Sequence, residues 1–517
     1  MGIGRQRWTP ELIVATIGAA ALIALAPVNT DSGWYLIGAR RLLAGERLYV
    51  DLADVNPPLI FWLLSLPAWF GQVVFSASDA RLIGGFTAIV LLISVGLVLH
   101  VMRVSPVTPR SLQISIVAGL LIPSIPLYAF QAGQREQLAT FLLLPYLVLA
   151  ARTVAGSHAS VRLRIAVGLA AGVGLALKPF FLAPWLAAEL TVVVLSRTLR
   201  PSVRLESLVV AAIQALYVTL ILVFVPEYVT DVVPLARATY HAYGGDWRTL
   251  LPLSWTYGLA LVAVIGGAMP LLFPGAHAPY AAIFGAATVG FVASYVAQAK
   301  GFTYHLMPAQ VYGGLTLFVI GEGVARAALR FRQQRLRTRA TVLALAAFLL
   351  VAGYEALPLA RMVSSAFYNS MVNPYGAATE RMVKLVEEYS VGEPFYMLST
   401  STWPAFPITN LAAARWPYHY NCLWPIPALY AEGEIRYRSP DDQSPLEREF
   451  FDTVVQDLLE HPPRLLAVDR RQQMQAMRGR HFDYVKYFSA SPEFAALFGK
   501  YRRLGQIVEW EFYERTY

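Results

Sequence analysis

Arg326-Ala-Ala-Leu-Arg330-Phe-Arg332-Gln-Gln-Arg335-Leu-Arg337-Thr-Arg339 separates two apolar runs, 307–323 and 340–354. Loops rich in Lys and Arg stay on the cytoplasmic side of a membrane. A stretch this basic, set between two runs each close to a span in length, therefore fixes which side of the bilayer every other loop faces. Working outward in both directions, further apolar runs recur at 12–26, 82–102, 112–127, 138–151, 165–177, 181–195, 208–225, 253–273 and 280–296. A helix needs roughly 20 mostly apolar residues to cross the hydrocarbon core, and the shorter runs extend into their flanks. The expectation is a polytopic α-helical membrane protein with about eleven spans.

Composition agrees. Of 517 residues, 56% are hydrophobic and 15% charged, against about 25% charged in soluble domains. Mean hydropathy is +0.49. The net charge of +9 does not point to nucleic acid, because much of it is arginine in short inter-span loops. Cys422 is the only cysteine, which excludes an intrachain disulfide. The N-terminal run ends in Ala24-Leu25-Ala26, which looks like a signal-peptidase site. The many later spans argue for an uncleaved first span instead.

One run, 59–75, is ambiguous: it is apolar, but Pro57-Pro58 precede it and Pro67 interrupts it. Counting it as a span would send the 326–339 arginines outside. If it lies flat or re-enters, Arg5, Arg7, Arg103, Arg110, Arg152, Arg162, Arg164, Arg197, Arg200 and Arg204 share the cytoplasmic side with 326–339, as the positive-inside rule requires. That choice puts the N-terminus in the cytoplasm. The opposite face receives the first outer loop 28–81, the turns near Gln134, Lys178 and Lys300, and everything after about residue 358.

The C-terminal part gains charge and alternates helix-like and strand-like pieces. Residues 377–389 and 450–460 read as helices, 394–398 and 465–468 as short buried strands. The expected organisation is a membrane module over 1–357 and a small extracytoplasmic α/β domain over 358–517. Its aromatic stretch Trp416-Pro-Tyr418-His419-Tyr420, with Trp403 and Trp424, would stack on sugar rings, fill the domain core or contact the membrane surface.

The first outer loop runs Asn29-Thr-Asp31-Ser-Gly-Trp-Tyr35-Leu-Ile-Gly-Ala-Arg40-Arg41-Leu-Leu-Ala-Gly45-Glu46-Arg47-Leu-Tyr49-Val-Asp51-Leu-Ala-Asp54-Val-Asn56-Pro57-Pro58. Asp31 lies just past the first span, where a low dielectric favours a stronger base; alternatively it caps the helix that follows. Gln134-Arg135-Glu136 opens a span at the outer face, and Lys300-Gly-Phe-Thr-Tyr304-His305 forms an outer turn. Ionisable residues at membrane depth are costly and mark function. Against that, Arg135 and Glu136 would pair locally, and Lys300 would snorkel to the headgroups. Lys178-Pro179 occupies another turn, and Glu189 lies inside a span, where it needs a partner on another helix. A carboxylate loop and several cations on one face suit an anionic, membrane-embedded substrate, above all a lipid phosphate.

Asp31, followed by Tyr35, Gly45, Tyr49 and Pro57-Pro58-Leu59, resembles the first extracytoplasmic loop of GT-C glycosyltransferases. The similarity is to bacterial family-39-like and Rgt-type enzymes that use polyprenyl-phosphate sugars. Gly133-Gln134-Arg135-Glu136, Lys178-Pro179-Phe180 and Lys300-Gly-Phe-Thr-Tyr304-His305 are similar to further blocks of such enzymes; together they cover about residues 20–310. The resemblance implies a sugar on a polyprenyl phosphate, transferred with inversion to a glycan, lipid or protein hydroxyl at the periplasmic face of a bacterial inner membrane. It makes Asp31 the catalytic base. Gln134, Arg135, Glu136, Lys178, Lys300, Tyr304, His305 and Tyr35 would bind donor phosphate or acceptor. Asp31 is followed by Ser32 where many relatives carry a second acid, and Glu136 stands where Asp is common. No residue set is singled out as metal ligands, although a divalent ion remains compatible with the resemblance. The rival readings are a transporter or flippase, which predicts inverted repeats and mid-membrane charge, and a polymerase or ligase of lipid-linked saccharides, which predicts a large late outer loop.

Overall fold

The structure is a computed structural model that describes residues 10–74, 76–103, 109–128, 131–157, 159–199, 203–245, 250, 254–272, 275–331, 375–430 and 433–516. The expected span 340–354, Arg5, Arg7 and the arginines from 332 to 339 lie outside the described residues. So does the 357/358 boundary.

In chain order the longer helices are α1 (Pro10–Ala24), α2 (Thr30–Leu43), α3 (Leu59–Val73), α4 (Asp79–Arg103), α5 (Arg110–Tyr128), α6 (Arg135–Val154), α7 (Val161–Ala176), α8 (Leu182–Ser196), α9 (Leu205–Phe224), α10 (Val233–Thr239), α11 (Ser254–Leu272), α12 (Ala278–Gln298) and α13 (Met307–Phe331). The C-terminal part adds α14 (Gly376–Ser390), β1 (Phe395–Leu398), α15 (Ala405–Leu411), α16 (Pro445–Glu460), β2 (Leu465–Asp469), α17 (Pro492–Phe498), β3 (Tyr501–Ile507) and β4 (Trp510–Arg515). Every expected span within the described residues falls on one of these helices. The protein is a multi-pass membrane protein carrying a small C-terminal sheet. Helices α4, α6, α9 and α12, and Pro179–Ser196 containing α8, are long and apolar enough to cross.

The chain divides into two compact units. The first comprises Met1–Pro27, Gly84–Thr219 and Gly245–Met371. Its helices pack through small residues, which let membrane helices approach closely in the absence of a hydrophobic drive between them. A Cβ built on Gly290 of α12 would run into the backbone of Pro184 on α8, and one on Gly266 of α11 would meet the Ala281 carbonyl of α12. Helix α6 is buried along almost its whole length. At its far end Arg152 donates to the Val101 carbonyl at 2.7 Å and to Ser157 Oγ at 3.0 Å. Glu189 has the partner its position demands: Arg204 donates to it at 2.5 Å and the Tyr146 hydroxyl at 2.6 Å.

The second unit comprises Val28–Ile83, Leu220–Gly244 and Val372–Tyr517, so the first outer loop folds with the C-terminal part. The sheet order is β1-β2-β4-β3, with β1 and β2 parallel and the other pairs antiparallel. Every residue of β1 and β2 is buried, as expected of a parallel pair covered on both faces. Ser444 caps α16 by accepting from the Glu447 amide, with Pro445 at the first helical position, the favoured arrangement for a helix start. The aromatic stretch fills the core: Trp416, Tyr418, Tyr420 and Trp424 are all buried, and only Trp403 is substantially exposed, at 43%.

Candidate functional site

In the first unit three turns converge at the start of α6. Gly133, at φ 80°, turns the chain into Gln134, and α6 begins at Arg135. A carboxylate in the first turn of a helix is favoured by the positive end of its dipole, and Glu136 occupies that turn. Its ion partner is not the adjacent Arg135 but Lys178, 42 residues further on, at the α7–α8 turn: Nζ donates to Glu136 Oε1 at 2.8 Å. The sequence offered a local Arg135–Glu136 pair as one alternative; the carboxylate's bridge is to Lys178 from the facing turn, while the Arg135 charge also acts on it.

The third turn brings His305, which precedes α13. Its Nε2 lies 3.2 Å from Lys178 Nζ. An ammonium can only donate, so Nε2 accepts and the ring proton sits on Nδ1. Burial, with the Lys178 charge against the ring, pushes His305 down to about 3, so the imidazole is neutral at physiological pH. Glu136 Oε1 is 3.7 Å from the ring; both groups accept from Lys178 rather than bonding to each other. Gln134, Arg135, Glu136, Lys178 and His305 are all buried. Among the described residues, Glu136 Oε2 and His305 Nδ1 have no hydrogen-bond partner.

Lys300 is half-buried in the same turn as His305. Burial lowers its amine to about 8. Tyr304, also half-buried, sets its ring edge-on to His305 at 4.4 Å. The charges of Arg135 and Lys178 thus act on the Glu136 carboxylate, and those of Arg135, Lys178 and Lys300 on the neutral imidazole. Cations gathered in this way fit an anion with several oxygens.

Asp31 and Tyr35 belong to the second unit. Asn29, not Asp31, is the N-cap of α2: its side chain accepts from the Asp31 amide at 3.0 Å. Asp31 lies in the first helical turn, half-exposed, which leaves its carboxylate outside the capping role considered from sequence. Tyr35 is 1% exposed and packs edge-on against Phe61 at 5.4 Å.

Sequence reasoning missed how this loop is held. Trp34 Nε1 donates to Asp54 at 2.6 Å, and Asn421 donates to the same oxygen at 3.2 Å. Arg40 makes a two-pronged contact with Asp79, and Asn410 donates to that carboxylate at 2.8 Å and to the Gly33 carbonyl at 3.1 Å. Arg41 donates to the Tyr418 and Asp51 carbonyls at 2.6 and 2.8 Å. The signal available was the pair Arg40-Arg41 near the end of α2: Arg41 also pairs with nearby Glu46, at 2.6 Å, but nothing local names the Tyr418 carbonyl or the Asn410 that closes on Asp79. Cys422 is buried beside this region and donates to the Thr400 carbonyl at 3.6 Å. Burial pushes its thiol up, and the charges of Asp54 and Asp31 act in the same direction, so it is an inert structural thiol. Among the described residues no group of three or more His, Cys, Asp or Glu is placed to hold a metal ion.

No family model and no curated protein matches the chain. Solved structures share its fold. Two crystal structures of ArnT from Cupriavidus metallidurans carry that likeness, each at 13% identity and each covering 98% of both chains. The one bound to undecaprenyl phosphate gives a TM-score of 0.52, the apo one 0.50.

Proposed function

We propose that the protein is a membrane glycosyltransferase that moves a sugar from a polyprenyl-phosphate donor to an acceptor hydroxyl. The observation that carries this is the buried Glu136–Lys178–His305 cluster with Arg135 and Lys300 beside it, in a chain with the GT-C fold. It gathers Arg135, Lys178 and Lys300 around one imidazole, and ArnT, which shares the fold, was crystallised with a lipid phosphate. In this reading residues 1–357 form the catalytic module and 358–517 the extracytoplasmic domain.

The chemistry is economical. The acceptor oxygen forms a bond to the anomeric carbon while the bond from that carbon to the phosphate oxygen breaks, inverting the centre. The electron pair leaves on polyprenyl phosphate, and the acceptor proton passes to Asp31. Phosphate is a good leaving group, so no strong acid is needed. Arg135, Lys178 and Lys300 stabilise the charge that develops, the His305 Nδ1–H offers one more donor, and Asp31 serves as general base. Glu136 holds Lys178 in place.

Radiolabelled polyprenyl-phosphate sugars presented to membranes containing the protein test this. Wild type transfers label to an acceptor, and Asp31→Asn lowers transfer by at least a hundredfold, the lower end of what a positioned base contributes being about 10²-fold. Full transfer by Asp31→Asn would remove the base assignment. The cellular arrangement, an inner membrane with a cytoplasmic N-terminus and a periplasmic C-terminal domain, is tested by replacing Cys422 and placing single cysteines at Gln333 or Gln443. An impermeant reagent should reach only the second from outside.

A further inference from the structure

Helix α12 belongs to the first unit, as the Glu136–Lys178–His305 cluster does, and it carries none of the cations assigned to phosphate. Two of its buried polar atoms, the Tyr295 hydroxyl and Gln298 Oε1, have no hydrogen-bond partner among the described residues, and neither do Glu136 Oε2 and His305 Nδ1. Tyr295 is 0% exposed and Gln298 7%. Leaving a buried polar atom unpaired is costly, so several of them at one place point to a molecule that completes them.

Tyr295 stands at the level of Glu136. One turn further from the cluster, Phe291 of α12 stacks on Tyr312 of α13 at 5.4 Å, and the Tyr312 hydroxyl donates to the Thr140 carbonyl of α6 at 2.8 Å. Residues four apart lie one above the other on a helix. Going toward the cluster, one turn leads from Phe291 to Tyr295 and one turn leads from Thr140 to Glu136, whose carbonyl accepts from the Thr140 hydroxyl at 2.7 Å. Phe291 also meets Phe181 at 6.0 Å, and Lys178 Nζ lies 5.9 Å from the centre of that same ring. Gln298 comes three residues after Tyr295, on the same side of α12. Its Nε2 donates to the Ser294 carbonyl at 3.0 Å and to Ser294 Oγ at 3.4 Å, so the donor end of the amide is engaged within its own helix.

The character of these atoms decides what fits them. Gln298 Oε1 and Glu136 Oε2 accept, the Tyr295 hydroxyl accepts or donates, and the His305 Nδ1–H donates. A phosphate ester ionised at neutral pH has no proton to give, so it satisfies neither acceptor; its partners are Arg135, Lys178 and Lys300. Sugar hydroxyls give and accept. Glu136 Oε1 receives Lys178 at 2.8 Å, so a group bonded to Oε2 of the same carboxylate lies beside a cation that takes the phosphate. The part of the donor that adjoins its phosphate is the sugar.

We propose that Glu136 Oε2, Tyr295 and Gln298 line a subsite for the sugar ring of the donor and select it through hydroxyls that donate to the two acceptor oxygens. This rests on the polyprenyl-phosphate reading given above. Glu136 then has two tasks, one oxygen for the lysine and one for the sugar, and Tyr295 and Gln298 are specificity residues.

The full chain in detergent is titrated with undecaprenyl phosphate, either bare or carrying glucose, mannose or arabinose, and bound lipid is counted by native mass spectrometry. Wild type should bind at least one sugar-bearing lipid about tenfold more tightly than the bare one. Tyr295→Phe and Gln298→Met should each weaken binding of that lipid about fivefold to tenfold, the loss of one hydrogen bond, and leave the Kd for bare undecaprenyl phosphate within about twofold. Lipid-free Tyr295→Phe should melt no lower than wild type, because the hydroxyl it loses has no partner among the described residues. Equal weakening of both lipids, no preference for any sugar in wild type, unchanged affinity in both variants (water alone fills the space), or a lowered Tm in lipid-free Tyr295→Phe would each overturn the subsite. In all of these outcomes the binding of bare lipid phosphate leaves the functional reading standing. No binding of any of the four lipids would remove that reading and the subsite with it.

Discussion

Replacing Lys178 by Met is the sharpest perturbation of the cluster at the head of α6. The ammonium and the Glu136 carboxylate are 2.8 Å apart. At an effective dielectric of about 20 their attraction is about 6 kcal/mol, offset by the cost of burying both. What the variant changes is the balance: Glu136, 1% exposed, keeps its charge and loses the cation that compensates it. Breaking one side of a buried pair costs about 3–5 kcal/mol. His305 adds to this, because its Nε2 loses the donor 3.2 Å away. In detergent micelles, thermal unfolding followed by intrinsic fluorescence should shift down on the order of 10 °C for Lys178→Met. The double variant Lys178→Met with Glu136→Gln carries no uncompensated charge and should recover most of that loss, since a buried pair replaced as a unit is often close to neutral. If the single variant is no less stable than the double, Lys178 is not what neutralises Glu136, and the account of the cluster fails.

Two further outcomes follow from titration. Lys300 loses its proton near pH 8, so the KM for donor should rise as pH climbs through that value, while Lys300→Arg, which stays charged, should flatten the alkaline limb; an unchanged limb in the arginine variant would separate Lys300 from donor binding. In the second unit His419 Nδ1 lies 2.6 Å from Asp457, which raises its pKa against the opposing effects of burial and Arg41 and alongside Asp51. A raised folded-state pKa stabilises below the unfolded value of about 6.5 and is lost as pH rises through the folded one, so the Tm gained on acidification to pH 6 should vanish in Asp457→Asn.

The membrane half of this fold is legible because span length is a physical threshold that a run of apolar residues either meets or misses. The run at 59–75 is the exception that shows the rule: composition alone does not separate a span from a helix lying in the surface. What composition does not show is that this helix has two unlike faces, Phe61 and Leu64 buried and Trp69 and Val73 exposed. The small domain was partly legible for a similar reason. The buried strands β1 and β2 are nearly continuous apolar runs, but β3 (Tyr-Arg-Arg-Leu-Gly-Gln-Ile) and β4 (Trp-Glu-Phe-Tyr-Glu-Arg) mix charged and apolar residues without a clean alternation and join through Val508-Glu509. Val508 there adopts φ 54°, which β-branched residues disfavour, so the turn lacks the Asn-Gly or Asp-Gly signature that announces a hairpin.

The site divides along the same line. Charged residues in apolar surroundings are conspicuous one at a time, which is how Arg135, Glu136, Lys178, Lys300 and His305 stand out in the sequence. Their pairing is not local. Nothing near Glu136 says that its cation comes from a turn 42 residues away, or that Asn410 closes on Asp79 across 331 residues. Such pairs exist because burying a lone charge is far more costly than burying a matched one, so the fold must bring partners together from wherever the chain holds them. Within the cluster the pairing stops at two atoms: among the described residues, His305 Nδ1 and Glu136 Oε2 have no hydrogen-bond partner. A buried polar atom left without a partner is costly, so these two are where a molecule bound at the cluster would be sensed first.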